Sequence, residues 1–342
     1  MKSVTSLYCS RRRFCQRGVS LIELMLGMTI GLILIAGLSL IFVNSSRTNT
    51  ETEKTSQQIE NGRYATQLVL EDLRLAGYYG ELNPVAVATP GAKPDACATG
   101  AASLAADTAL PIQGYDAGEA VPACLPAAEV MADSDIFVIR RASTCVAGGA
   151  DCEAIDYTKQ TYFQTGLCAS DAGQYVIDTD ASKFLLTKPM ACGVAATPGP
   201  NKASLRAYYT HIYFVAKNNR PGDGIPTLKM LELGAGAFSA PIALVAGIER
   251  MQLEYGVSAS ATAPPVYTAA PADTAAWRNV TAVKLNLLAR NTASSPGYTD
   301  TRTYVLGKKA DGSDNNFGPA NDAFKRHVYT TVVRLNNVAG RL

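Results

Sequence analysis

The sequence predicts an α+β protein with a long N-terminal helix packed on a mostly antiparallel β-sheet head, which forms one sheet or two. The first half of the helix is expected to span a membrane and the second half to be amphipathic. Two observations lead to this fold class. The segment from Leu24 to Val43 carries no charge, and no proline occurs before Pro84. After Pro84, strand-like runs follow one another without helices between them, which is typical of antiparallel sheets.

The apolar run, residues 24–43, is long enough to cross a bilayer. As a helix it extends about 30 Å, which matches the hydrocarbon thickness of a membrane. The leader before it carries no acid and has these basic residues: Lys2, Arg11, Arg12, Arg13 and Arg17. A basic flank stays in the cytoplasm, so the rest of the chain is expected across the membrane. No small-x-small cleavage site follows Val43, so the run should remain as an anchor.

The segment after the apolar run, residues 44–80, is predicted to continue the helix in amphipathic form. Ile59, Leu68, Leu73 and Ala76 recur near helical spacing among polar side chains, so their face should contact the head. Gly77, Gly80 and Pro84 are helix-stop signals. The membrane-spanning and amphipathic halves together are expected to form one continuous helix of about 60 residues.

The head, residues 81–342, is predicted to be β-rich and large enough for a substantial core. Residues 85–132 are expected to form a loop with one short strand near Ile112. The predicted strands are residues 135–140, 174–178, 208–216, 227–233, 251–257, 279–288, 303–306 and 327–335. Turn-rich insertions are expected at residues 259–271, 298–300 and 311–316.

The junction Gly18-Val19-Ser20-Leu21-Ile22-Glu23-Leu24 resembles the class III leader of type IV pilins and type II secretion pseudopilins. The resemblance implies that a prepilin peptidase cuts between Gly18 and Val19. Residues 1–18 would then be lost, the new amino terminus at Val19 would be methylated, and residues 19–43 would form the membrane-spanning half. Val19 and Ser20 are mild departures from the aromatic residue and the threonine that are usual there.

Glu23 aligns with the glutamate that this family uses during assembly. A carboxylate within a membrane helix costs about 2.5–3.5 kcal/mol on insertion scales, so a positive partner is expected. The resemblance implies the free amine of a neighbouring subunit. The chain's own amine at Val19 is an alternative because the two residues are spaced i, i+4. A glutamate that only reaches the lipid headgroups is a further alternative.

Several head segments resemble PilW-like minor pilins. They are residues 135–140, 247–256, 277–285 and 330–337, with Asn336 where the family commonly has arginine. The resemblance implies a minor pilin that takes part in pilus assembly and priming near the fibre tip, in a system linked to adhesion and twitching motility. The implied partners are other major and minor pilins, the prepilin peptidase, the inner-membrane assembly machinery and, before assembly, membrane lipid.

The implied location is the bacterial inner membrane with a periplasmic head, and later the extracellular fibre. Two other functions stay open on the sequence. One is a J-like pseudopilin of type II secretion, which shares the leader and the helix. The other is a membrane-tethered binding protein or adhesin that never polymerises, which could keep its first 18 residues.

Of the eight cysteines, Cys9 and Cys15 would leave with the leader. The remaining six lie in the head, where an oxidising environment favours disulfides. Six cysteines can pair in about 15 ways. Loop-closure entropy favours near neighbours, which predicts the pairs Cys97–Cys124, Cys145–Cys152 and Cys168–Cys192.

Metal, cofactor and catalytic sites are not predicted. There is no C-x-x-C, and His211 and His327 are the only histidines. Residues 311–316 either bind calcium or form a solvated turn. No catalytic or phosphate-loop motif occurs, so we expect no enzyme and a separate ATPase. Loss of the leader leaves 26 basic residues against 29 acidic ones, a formal charge of −3, and nucleic-acid binding is not expected.

Overall fold

The computed structural model describes residues 18–168, 171, 173–188, 192, 201–260 and 262–340. Most of the leader, including Cys9 and Cys15, lies outside the described residues. The chain divides into two compact units, Met1–Glu53 and Lys54–Leu342. The first unit, where it is described, is the N-terminal part of one helix, and the second contains the end of that helix and all the strands.

Helix α1 spans Leu21–Leu75, which is 55 residues. It is slightly shorter than the sequence suggests and ends before residue 80. Gly77 accounts for the end, because it adopts a φ of +73°, a conformation that favours glycine. Its N–H then donates to the carbonyl of Arg140 in the sheet, at 3.0 Å, instead of continuing the helix.

The buried face of α1 agrees with the predicted one except at Ile59. Leu73 and Ala76 are fully buried and Leu68 packs against the main core, as expected, whereas Ile59 is 39% exposed. The buried residues of α1 are Gln58, Gly62, Ala65, Val69, Asp72 and Leu73. This face includes a glycine, an amide and a carboxylate, which a search for large apolar residues at i, i+3 and i+4 does not select.

The strands form two main sheets, and all their described pairings are antiparallel. The larger sheet has the order β1-β2-β5-β3-β4, with β6 between β5 and β7. Its strands are β1 (Ile112–Tyr115), β2 (Ile136–Ala142), β3 (Tyr162–Thr165), β4 (Tyr175–Asp178), β5 (Leu205–Ala216), β6 (Thr227–Glu232) and β7 (Ile242–Ala246).

The smaller sheet has the order β13-β10-β8-β9. Its strands are β8 (Ile248–Val257), β9 (Val266–Thr268), β10 (Val280–Arg290) and β13 (Arg326–Arg334). A separate hairpin joins β11 (Tyr304–Lys308) to β12 (Asp314–Phe317). The predicted α+β fold with antiparallel sheets is thus confirmed.

Some elements were not predicted. The segment expected to be loop, residues 85–132, contains helix α2 (Ala101–Asp107) as well as β1. Its four alanines are the best helix formers, and Leu104 is buried, so local propensity and packing agree. The other missed elements are β3, β7, β9, β12, α3 (Thr274–Arg278), α4 (Asn336–Ala339) and the short 3₁₀ turns Pro84–Ala86 and Ala181–Lys183.

The main core lies where α1 meets both sheets. Val69 and Leu73 of the helix share one apolar cluster with Phe137 of β2, Leu253 of β8 and Leu285 of β10. All five side chains are nearly or fully buried. Burial of one such side chain contributes about 1.5–3 kcal/mol, so this cluster is the principal apolar connection between the helix and the sheets.

Gly62 allows the closest approach of α1 to the smaller sheet. A Cβ at this position would overlap the ring of Tyr329 on β13. We expect Gly62→Ala to destabilise the head by about 1–3 kcal/mol, because overpacking costs more than the gain of about 1 kcal/mol in helix propensity. Chemical denaturation measures the difference, and Glu60→Ala on the exposed face is the control. A Gly62→Ala protein as stable as the control would contradict this packing.

Candidate functional site

The described N-terminal segment begins with a capped helix end. The N–H of Leu24 donates to the carbonyl of Ser20 at 3.1 Å, which makes Ser20 the N-cap of α1. The carboxylate of Glu23 in turn accepts a hydrogen bond from the N–H of Ser20 at 3.0 Å. This is one half of a capping box, with the sequence Ser-x-x-Glu. Glu23 also lies in the first turn, where a negative charge is favoured by the helix dipole.

The capping box was missed in the sequence, although Ser20 and Glu23 have the required spacing. It means that Glu23 already has a local partner in the single chain. The carboxylate uses its Oε2 atom for Ser20. Gly18 and Val19 immediately precede the helix and are exposed, so the segment at which cleavage is expected is accessible.

The apolar half of α1 exposes its side chains on all sides within its own unit. The helix is long and apolar enough to cross a membrane by length and composition. The exposed apolar residues begin at Val19 and continue to Val43. At Gly27, Gly31 and Gly37 no described atom lies within 4 Å of the position that a Cβ would occupy. These glycines therefore leave notches where another helix can approach closely.

In the second unit, a buried charge joins the helix to the larger sheet. Asp72 is 6% exposed and accepts hydrogen bonds from Arg141 Nε at 2.6 Å and from the Tyr213 hydroxyl at 2.8 Å. The Nδ1 atom of His211 lies 2.6 Å from Asp72 Oδ2. Burial alone would raise the pKa of the Asp72 carboxyl, but His211 and Arg141 hold that pKa well below its usual value.

Polar side chains along α1 add further links to the head. Lys54 Nζ donates to the carbonyl of Ser294, and Asn61 Nδ2 to that of Ala246. Gln58 Nε2 donates to the carbonyls of Ala289 and Lys325, at 2.8 and 2.9 Å. These donors bind backbone carbonyls of the head and so tie α1 to the sheets by polar contacts as well as by apolar packing.

A second buried charge cluster organises the smaller sheet. Arg326, at the start of β13, donates to the carboxylates of Glu249, Asp300 and Asp322. Burial lowers the pKa of Arg326, but these bonds more than compensate and raise it. The cluster holds the insertion between β10 and β13 against the sheet.

The structure joins the six head cysteines as Cys97–Cys124, Cys145–Cys152 and Cys168–Cys192. Their Cα atoms are 5.6, 5.9 and 5.3 Å apart, which is ordinary for disulfides. The bridges close loops of the larger-sheet side of the head, each worth about 2–4 kcal/mol by restricting the unfolded chain.

The remaining candidate residues take part in local contacts. Asp311 accepts hydrogen bonds from the N–H and the hydroxyl of Ser313, at 2.9 and 2.6 Å, so its carboxylate closes the β11–β12 turn. His327 packs edge-on against Tyr329. Among the described residues, no group of three or more His, Cys, Asp or Glu side chains could hold a metal ion.

Loss of Asp72 should weaken the head. We expect Asp72→Ala to cost about 3–5 kcal/mol at pH 7, because Arg141, whose side chain is 15% exposed, would lose its charged partner and the buried Tyr213 hydroxyl would lose its acceptor. The neighbouring Glu71→Ala is the control; Glu71 is exposed and should cost less than about 0.5 kcal/mol. Denaturant titration of each protein gives both values.

The cost of Asp72→Ala should also depend on pH. The folded-state pKa of Asp72 is lowered, so its contribution is complete above the unfolded value of about 4 and is lost as the pH falls toward the folded value. The difference in unfolding free energy between the wild type and Asp72→Ala should therefore shrink below about pH 4. A difference independent of pH would contradict the ionised cluster.

Two family models match the sequence. Residues 212–337 match the type IV pilus-assembly protein W, PilW. Residues 13–39 match the prokaryotic N-terminal methylation motif. The second match covers the junction around Gly18 and Glu23, and the first covers β5 to α4. The comparison with curated proteins found no match to this sequence.

A type IV-like pilin from Thermus thermophilus, TTHA1219, is among the solved structures that match. It has 11% sequence identity and a TM-score of 0.32, with 84% of this chain and 98% of that chain covered. The two sequence matches confirm the resemblance to PilW-like type IV pilins and support a pilus-related minor pilin.

Proposed function

We propose that this chain, in which residues 212–337 match PilW and residues 13–39 match the N-terminal methylation motif, is a minor pilin that takes part in type IV pilus assembly and priming, near the fibre tip. The observation that carries the proposal is the Gly18–Glu23 junction at the start of a long apolar helix. The proposed parts of the chain are a cleaved leader (1–18), a membrane-spanning half of the N-terminal helix (19–43), an amphipathic half of that helix (44–80) and a periplasmic head (81–342).

The proposed sequence of events begins in the inner membrane. Prepilin peptidase cuts after Gly18 and methylates the new terminus at Val19. Lipid covers the apolar side chains of α1 until the subunit enters the fibre, where neighbouring pilin helices replace the lipid. Gly27 and Gly31, spaced as G-x-x-x-G, permit close backbone contact there.

Glu23 has a stated electrostatic task in this scheme. In an apolar environment its charge is costly, and the bond from the Ser20 N–H offsets only part of that cost. Cleavage creates ammonium groups at the termini of this chain and of its neighbours. Docking brings a neighbour's ammonium to Glu23, so that both charges are neutralised in the assembled fibre and not in the isolated subunit.

The head supplies contacts with other subunits. Its disulfides and buried charges favour a rigid structural role, which suits a subunit that initiates a fibre. Adhesion and motility would then be properties of the fibre. Energy for assembly comes from a separate ATPase of the inner-membrane machinery.

Gly18→Ala should block processing. The peptidase acts after a glycine in the family, and a side chain at this position would obstruct the scissile bond. Immunoblots of whole cells should show only the precursor, and fibres should lack this subunit. Gly37→Ala, in the same helix but away from the junction, is the control and should mature normally. Full maturation of Gly18→Ala would contradict the assigned leader.

Glu23→Ala and Glu23→Gln separate the two roles of the carboxylate. Glutamine at this position of a capping box still accepts the Ser20 hydrogen bond but carries no charge. If Glu23 neutralises an amine, both variants should be cleaved normally and both should be missing from sheared fibres. If Glu23 only caps the helix, Glu23→Gln should be incorporated like the wild type, and the docking role would be wrong.

A J-like pseudopilin would pass both tests of the junction. The two functions differ in the assembly that fails when the chain is deleted. The proposal predicts loss of surface pili with secretion of type II substrates unchanged. Unchanged pili with lost secretion would instead identify the chain as a pseudopilin that uses the same junction chemistry.

A further inference from the structure

Strand β13 forms one edge of the smaller sheet, and it is long and regular. All nine of its residues pair with β10 without a register shift. The strand contains no proline, glycine or lysine. It includes the β-branched residues Val328, Thr330, Thr331, Val332 and Val333. Exposed edges in native proteins are usually shortened, bulged or interrupted to prevent pairing with other chains, and β13 shows none of these features.

The hydrogen bonds show which backbone groups of β13 point away from the sheet. The N–H of Leu335 donates to the carbonyl of Thr281, and the N–H of Asn291 to that of Lys325. In an antiparallel pair, residues alternate between bonding the partner strand and facing outward. Odd-numbered residues of β13 therefore bond β10, and even-numbered residues direct their N–H and C=O groups to the free edge.

The outward backbone groups belong to Val328, Thr330, Val332 and Arg334. In the described part of the chain, none of these four makes a backbone hydrogen bond to a segment beyond β10. The β11–β12 hairpin covers the Val328 end, where Val328 packs with Tyr304 and Leu306. The Arg334 end is open, and Val332 is 55% exposed there.

A groove lies beside the open part of this edge, on the outer face of the sheet. It has a volume of about 350 Å³ and is lined by Pro265, Tyr267, Ala282, Val332 and Arg334, among others. Gly256 forms part of the adjoining surface, since a Cβ there would meet Pro265 and Ala282. A strand added to β13 would place alternate side chains on this face, where an apolar one fits the groove.

The charged side chain in the open part of β13, residues 330–334, is basic. It belongs to Arg334, which is exposed. On α1 the exposed charges have both signs, Arg63 and Arg74 alongside Glu60 and Glu71. The acids of β8 are already paired, Glu249 with Arg326 and Glu254 with Lys284.

This charge distribution selects the occupant. Pairing β13 with β13 of a second copy would offer no acidic partner for Arg334, since β13 contains no acid. A strand with acidic side chains would instead be attracted and would also be oriented by Arg334. We propose that the free edge of β13, from Thr330 to Arg334, receives an extended acidic strand from the head of a different pilin subunit by β-sheet augmentation. The inference rests on the proposed assembly function for the source of the strand.

Amide hydrogen exchange tests this proposal at individual residues. The full-length mature chain in detergent is measured alone, then with each full-length minor pilin encoded beside it, singly and together. Alone, the amides of Thr330, Val332 and Arg334 should exchange fast and those of Thr331 and Val333 slowly. With the correct companion, the even-numbered amides should slow by about tenfold or more, while the odd-numbered ones stay slow.

Substitutions at the two edges of the sheet provide the matched control. Val332→Glu on β13 should abolish the companion-induced protection, because it repels an acidic strand, and Val266→Glu on β9, also at an exposed valine, should leave it unchanged. Val332→Pro removes an outward N–H and no hydrogen bond to β10, and it should act like Val332→Glu. Arg334→Glu should weaken companion binding about tenfold, because it reverses the attracting charge.

Three results would overturn the inference. They are no added protection with any companion, protection that appears with concentration of this chain alone, and protection lost equally in both glutamate variants. If the chain is incorporated in fibres and the edge amides stay unprotected, only the strand proposal fails. If the chain is never incorporated, the proposed function fails as well.

Discussion

The buried carboxylate of Asp72 fixes how the head sits on the end of α1. An apolar stripe such as Ala65, Val69 and Leu73 tolerates small sliding, because one apolar contact can replace another. A carboxylate cannot slide in this way, since moving it from Arg141 and Tyr213 leaves a buried charge without partners, at a cost of several kcal/mol. Gln58, which is N-terminal to Asp72 on α1, adds the same kind of restriction, because its amide donates to the carbonyls of Ala289 and Lys325.

This fixed packing matters for the proposed assembly, in which the helix docks against other subunits. Within the second unit, the surface that α1 offers to the sheets is already used. Two surfaces of the described residues stay available to other molecules. One is the apolar exterior of residues 19–43, with the glycine notches and the Glu23 carboxylate at its start. The other is the edge of β13 and the groove beside it. The first is suited to lipid and to other helices, and the second to one particular strand.

Much of the fold could be predicted because its signals are local. The uncharged run, the glycine at the end of α1 and the apolar strands each appear in a few consecutive residues. The helical face was incomplete at its N-terminal end, because Gly62 is there for Tyr329, which lies far away in the sequence. The roles of Asp72 and Arg141 likewise depend on a contact across many residues, so nothing near them identifies the pair. The short strands β3 and β9 are stabilised by their neighbours and carry little pattern of their own.

The junction shows the opposite situation. Gly18, Val19 and Glu23 could be selected from sequence by their resemblance to the pilin leader, whereas the Ser20–Glu23 cap was visible in the spacing and was overlooked. The cap gives the Glu23 carboxylate a hydrogen-bond partner in the single chain, and the proposed amine of a neighbouring subunit gives it a charged partner in the fibre. A carboxylate that changes partners in this way would couple entry of the subunit into the fibre to its departure from the lipid.

Intact-mass analysis of the chain from purified fibres, native and reduced, tests the central claim most directly. The account predicts the mass of residues 19–342 plus one methyl group, and a gain on reduction that corresponds to three disulfides. A chain that begins at Met1, or one that begins beyond Val43 and has lost its apolar helix, would contradict it.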